Sequence, residues 1–258
     1  MCQRLSRLQL GLALLLLLAA APCWAEPALS EVVHACVLLE QGKQAFEQQR
    51  TDEAEQCLAE AARLRPQWYL PHQWLAVVYQ EAGNKQAALQ SYRQVQLASL
   101  TSSNSRRTNP AKYTDALLDC EALMAWLINE TRWEAGIQCV VPEPRLAQVA
   151  RQHSMEMRDL HYFSHESPVP GQRTSVDRFE NLFGFRPRLI AENVARRWGT
   201  GDFLTPEKMR ETHHGFLQKA GHRRNLLLAS VEWLGVGIAV DDEGNYWVTE
   251  LLANYQDE

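Results

Sequence analysis

Between residues 29 and 100 the chain repeats itself with a period of 34 residues, and this limits the fold more than any other feature. Gly42, Ala54, Leu58, Ala61 and Pro66 are answered at Ala76, Ala88, Tyr92, Val95 and Leu100. Small residues fall where the two helices of a hairpin would approach, and a bulky one follows a turn later. The second copy adds Leu75 and Tyr79 and turns at Gly83-Asn84, where the first copy turns around Gln49-Arg50-Thr51-Asp52. One helical hairpin cannot bury its apolar face alone, so copies stack, and two copies are fewer than usually stand by themselves. The rest of the chain, or a partner, is expected to complete the stack.

The first residues speak to the compartment. Arg4 and Arg7 precede an apolar run over residues 8–22, and small residues follow at Cys23 and Ala25. This is the pattern of a secretory signal peptide cleaved after Ala25. An uncleaved anchor would need about 20 apolar residues, more than this run supplies. A lipid-modified Cys23 would need a small residue before it, where Pro22 stands. No later stretch is long and apolar enough to span a bilayer, so a soluble secreted or periplasmic protein is expected.

Removal of residues 1–25 takes away Arg4 and Arg7 and no acid, moving the net charge from −5 to −7. The arginine pairs at 106–107, 196–197 and 223–224 are isolated, so no electrostatic track for nucleic acid is expected. The remaining length, about 230 residues, suggests two domains. Cys36, Cys57, Cys120 and Cys139 remain after cleavage. In an exported chain they allow two disulfides, with the local pairs Cys36 with Cys57 and Cys120 with Cys139 favoured, or else four buried thiols. None stands in a C-x-x-C pair, so neither a zinc ribbon nor a redox motif is indicated.

Residues 101–112 are polar and rich in breakers and read as a linker between a helical repeat region, 26–100, and a second domain, 113–258. There the grammar changes. Apolar spacings predict helices over 116–133 and 144–160, a short helix over 175–182, and a helix over 206–219 with Pro206 near its start. Strands are expected over 189–196, 233–240 and 246–253, the last two joined by a hairpin at Asp241-Asp242-Glu243-Gly244-Asn245. Helices flanking a small, largely antiparallel sheet make an α+β protein with a three-layer α/β/α sandwich. Asn129-Glu130-Thr131 is a formal glycosylation sequon inside a predicted helix.

Three segments of this half carry ligand-grade or proton-transferring side chains. They are Tyr162-Phe163-Ser164-His165, Ala191-Glu192-Asn193-Val194 and Gly221-His222-Arg223-Arg224-Asn225. With Ile128-Asn129-Glu130-Thr131-Arg132 before them and Leu234-Gly235-Val236-Gly237 after, this half resembles the CAP superfamily. That is the domain of cysteine-rich secretory proteins, antigen 5 and plant pathogenesis-related proteins, here in its short bacterial form. The 34-residue repeat resembles tetratricopeptide repeats. The CAP resemblance implies a cleft lined by two histidines and acidic residues, often a divalent-cation site. His165 and His222 match its cleft histidines, and Glu192 matches a glutamate of a Gly-Glu-Asn motif whose glycine is Ala191 here. Phe216 and Lys219 stand where animal and plant members have a tryptophan and a second glutamate. An ammonium in place of a carboxylate opposes a cation.

His165, His222 and Glu192 are therefore the candidate metal set, for a divalent cation such as zinc, and also the candidate catalytic set. Either His213 or His214 could face the same cleft, and Trp198 is a candidate for its rim. Neither a Gly-x-Ser-x-Gly elbow nor a His-Glu-x-x-His helix is present, and Ser164 adjoins His165 too closely in sequence for a nucleophile–base pair. The favoured reading is a secreted binding module whose cleft takes a cation, lipid or envelope ligand, with the repeat as a protein-interaction surface. The alternatives are a metal-assisted hydrolase in the same cleft, or a repeat that acts while the second domain is scaffold.

Overall fold

A computed structural model describes residues 29–100, 114–198 and 204–256. The leader, Cys23 and the linker lie outside the described residues.

Four helices come first: α1 (Leu29–Glu47), α2 (Thr51–Leu64), α3 (Tyr69–Glu81) and α4 (Lys85–Leu100). α1 packs on α2 and α3 on α4. Gly42 permits the first contact, since a Cβ there would stand 2.6 Å from Leu58 Cγ. Ala54 and Ala88, Leu58 and Tyr92, Ala61 and Val95, each pair one period apart, are all fully buried. The two hairpin turns also match, with Gln49 at φ 60° and Gly83 at φ 72°. Glycine adopts that left-handed conformation freely and glutamine does not.

The second half contains α5 (Thr114–Glu134), β1 (Val141–Pro142), α6 (Pro144–Asp159), α7 (Ser175–Phe183), β2 (Leu189–Arg197), α8 (Pro206–Gln218), α9 (Ala220–Leu226), β3 (Trp233–Val240) and β4 (Tyr246–Asn254). Local chemistry starts the helices where the sequence suggests. Pro144 and Pro206 occupy first turns, behind side-chain caps from Glu143 and Thr205. Thr174 and Asp177 form a reciprocal capping box on α7, which Gly184 ends at φ 80°.

The sheet order is β1-β3-β4-β2. β1 runs parallel to β3, and the β3–β4 and β4–β2 pairs are antiparallel. α6 lies on one face with α7, and α5 lies on the other with α8 and α9. The approach of α6 explains the Leu234-Gly235-Val236-Gly237 pattern. A Cβ on Gly235 would stand 2.3 Å from the Leu146 carbonyl carbon, and one on Gly237 2.0 Å from the Arg151 nitrogen. Met124, Ile128, Phe216, Val236 and Ile238 form the core on the α5 face, and Leu146, Val149, Phe179, Leu251 and Tyr255 that on the α6 face.

The four N-terminal helices pack against the second half of the chain. α4 packs on α5 and α6, and Ala76, Ala88 and Tyr92 belong to the same core as β3. The joint is polar as well as apolar. Asn129 donates to Tyr92 Oη at 2.6 Å and to Val140 O at 2.8 Å, and Tyr92 donates on to Gln80 at 3.2 Å. Buried Glu121 accepts from Ile238 N and pairs with Arg151, which also donates to Ser99. Asn129 is fully buried, so its sequon is not accessible for modification.

The expected disulfides are corrected: Cys36, Cys57, Cys120 and Cys139 are free thiols. Cys139 Sγ sits 3.8 Å from the Asn129 carbonyl, whereas Cys120 is more than two turns back along α5, about 13 Å on the helix axis. Cys57 lies beside Gly42, and Cys36 is more than a turn earlier on α1, about 9 Å away along its axis. A disulfide needs Cβ atoms about 3.8 Å apart. Burial pushes the Cys120 and Cys139 thiols up to about 12.

Candidate functional site

β2 is an edge strand, and its alternation splits the candidate site between two layers. Glu192 faces the α6 side, where it receives the loop after that helix. Asn193 faces the α8–α9 side.

Glu192 is 9% exposed, yet both of its oxygens are engaged. Oε1 lies 2.9 Å from His165 Nδ1, and Oε2 accepts from the Arg178 guanidinium. Burial alone would raise this carboxyl, but the His165 hydrogen bond and the Arg178 charge together hold it below the usual carboxylate range. Arg178 comes from α7 and is itself buried. It also donates to the carbonyls of His165, Gln172 and Arg173, so one guanidinium clamps the whole loop. Beneath the loop, His153 Nε2 donates to Ser164 O at 3.1 Å. Burial and the nearby Arg178 charge lower His153, which keeps it neutral in that role. Tyr162 Oη donates to Glu156 and closes the other side.

On the opposite layer, Asn193 Nδ2 donates to His222 O at 3.3 Å and to Glu250 Oε2 at 3.1 Å. Asn225 Nδ2 reaches Asn193 Oδ1 at 2.9 Å and Glu192 O at 3.1 Å. Together they fix α9 against the strand and present His222. Its ring lies edge-on to Phe216 with centroids 5.1 Å apart, and 6.5 Å from the His165 ring. Burial lowers His222 first, helped by the charges of exposed Lys219 and of His165. Glu250 is fully buried, and burial pushes it up to about 8.

The structure thus brings His165, Glu192 and His222 together. It sends the other candidates elsewhere. His213 is 5% exposed and meets Thr131 of α5 at 2.8 Å, while His214 is exposed and paired with Gln218. Adjacent helical residues diverge, and neither reaches the cleft. Trp198, at the end of β2, is 69% exposed and stacks on Arg196. Ser164 and Ser167 bond the backbone of their own loop.

Arg178 and Glu250 escaped the sequence reading, and His153 read only as an ordinary residue of its helix. Arg178 had a signal, since it shares the buried face of α7 with Leu182 one turn on, where a lone charge demands a partner.

The surroundings of Glu192 do not fit a divalent cation. Its carboxylate is already committed to a histidine and to the positive charge of Arg178, and the Lys219 charge acts on His222. Among the described residues, no three His, Cys, Asp or Glu side chains converge as a ligand set.

Comparison with known proteins finds similarity over the half of the chain that holds this site. Residues 127–251 match CAP, the cysteine-rich secretory protein family. The chain is 29% identical over 126 residues to the uncharacterized protein YkwD of Bacillus subtilis (strain 168), covering 49% of this chain and 44% of that protein. It thus spans less than half the length of that relative. Among solved structures it is similar to an extracellular protein containing a SCP domain from Bacillus anthracis str. Ames, with 27% identity and a TM-score of 0.47. That match covers 57% of this chain and 44% of the other. An outer surface protein of Borrelia burgdorferi matches at 12% identity and a TM-score of 0.45, over 54% of this chain and 94% of that one. The fixed Glu192, the two histidines and the glycine-lined β3 all lie within residues 127–251, the stretch that matches the cysteine-rich secretory protein family and is similar to bacterial proteins.

Proposed function

We propose that the protein is an exported binding module whose His165–Glu192–His222 cleft takes the anionic headgroup of an envelope lipid. The observation that carries this reading is the double engagement of Glu192. With its charge met by Arg178 and His165, the outer edge of the His165 ring, the His222 ring and the nearby Lys219 leave a cleft that favours a hydrogen-bond acceptor or an anion. Export rests on the leader pattern before Ala25. The tetratricopeptide-like helices supply a protein-interaction surface, supported by Val33 and Val37, which are exposed apolar residues on α1.

The test is co-flotation of the full chain with vesicles of phosphatidylglycerol and of phosphatidylcholine, beside a calorimetric zinc titration. The reading expects binding to the anionic vesicles alone, lost in the His165→Ala/His222→Ala double variant. Micromolar zinc binding lost in that variant would overturn it in favour of a cation cleft.

One observation favours a hydrolase as the second reading. A carboxylate 2.9 Å from Nδ1 of a half-exposed imidazole fixes the tautomer that leaves Nε2 free as a general base. Turnover of an ester such as p-nitrophenyl acetate, abolished by Glu192→Gln, would establish it.

A further inference from the structure

At the opposite edge of the sheet from the cleft, a cavity of about 840 Å³ opens between the four N-terminal helices and the second half of the chain. Four aromatic rings wall it: Phe46 of α1, Trp74 of α3, Trp133 of α5 and Trp233 of β3. Trp133 is 51% exposed, an unusual position for an indole that serves packing alone. Trp233 carries a buried indole N–H with no hydrogen-bond partner. The volume is that of a small-molecule site.

The charged side chains that line this cavity are acidic. Glu47, Glu81 and Glu232 line it, and no lysine or arginine does. None of the three takes part in an ion pair among the described residues. Burial raises Glu81, with no cation offsetting it. Of the nearby cations, Lys43 pairs with Glu40 at 3.1 Å and lies 5.7 Å from the centre of the Trp74 ring, and Arg132 donates through Nε and Nη1 to the carbonyls of Gln138, Leu226 and Leu228, so the faces left for a ligand are those of Phe46, Trp133 and Trp233.

The repeat supplies an internal control. Gln49 also lines the cavity, and it holds the left-handed position where the second copy has Gly83. Of the two hairpin turns, the one that borders the cavity carries a side chain, at the expense of backbone strain. The matching turn, away from it, uses glycine.

We infer that this cavity binds an organic ammonium group, carried by a small molecule or by a lysine side chain. Aromatic faces attract a cation through their quadrupoles, and the carboxylates supply the opposing charge. The cavity shares no lining residue with the His165–Glu192–His222 cleft.

The test is calorimetric titration of the full chain with choline chloride, with N-acetyl-lysine amide, and with 3,3-dimethylbutan-1-ol, the uncharged shape-match of choline. At least one ammonium probe should bind about tenfold or more tightly than the alcohol. Trp133→Ala and Glu47→Gln, both at exposed positions, should each weaken it about fivefold or more, and His165→Ala should leave it unchanged. Tighter binding of choline assigns a small molecule, and tighter binding of the lysine amide assigns a side chain of a partner. Equal binding of choline and the alcohol, no binding by either ammonium probe, or unchanged affinity in Trp133→Ala would overturn the inference.

Discussion

The two edges of the sheet hold carboxylates of opposite circumstance. At the β2 edge, Glu192 is buried and answered within the chain by Arg178 and His165. At the β1 edge, Glu47, Glu81 and Glu232 border one cavity and form no ion pair among the described residues. Neighbours decide what the same functional group does. A carboxylate whose charge is settled becomes a positioning device, here for an imidazole. One whose charge is unsettled draws a cation from outside.

The sharpest way to break this contrast is Arg178→Met. It would strand Glu192 without its charge partner and release three loop carbonyls, so a loss of about 3–5 kcal/mol is expected in denaturant unfolding. Glu47→Gln at the other edge should change stability by less than about 0.5 kcal/mol. Equal effects would mean that Glu192 is not held as described.

A second test concerns the layer behind the cleft. Glu250 rises from 4.5 to about 8 on folding, so the folded chain keeps a proton that the unfolded chain loses. Its contribution is complete below pH 4.5 and falls as pH rises toward 8, by up to about 1.4 kcal/mol per pH unit. His213, lowered to about 4 by burial, works in the other sense and loses stability as pH falls from 6.5. Glu250→Gln should therefore remove the alkaline decline in melting temperature between pH 6.5 and 8. An unaltered decline would place its origin elsewhere.

Smaller effects sharpen the joint between the halves. Tyr92→Phe deletes the hydroxyl that links Asn129 to Gln80 and should cost about 1 kcal/mol, read as a lower urea midpoint with a single transition. Gln49→Gly should raise stability by about 1 kcal/mol, while weakening ammonium binding at the cavity. A stabilised variant with undiminished binding would show that the strained glutamine serves no ligand.

Much of the fold was legible because periodicity and punctuation agreed. The strand expected over 233–240 is β3 residue for residue, and Pro206 and Gly184 mark helix ends as such residues should. The three cleft segments were legible as sequence motifs. Other features depend on tertiary placement. β1 has two residues, one of them proline, and exists because β3 offers it a partner. The disulfide expectation failed because nearness in sequence on a helix is distance along its axis. The cavity is assembled from α1, α3, α5 and β3, whose lining residues share no local pattern.

The position of β2 has a consequence for how the protein behaves when crowded. A nine-residue edge strand is a template for another chain's strand. Here Asn225 caps the carbonyl of Glu192, the His165 loop and α9 cover the strand near its middle, and Arg196 and Arg197 charge its far end. The groups that make the cleft therefore also keep sheets of neighbouring molecules from joining. Variants that loosen His165 or α9 should first be watched for self-association, because lost cleft function and sheet-to-sheet clumping would begin at the same residues.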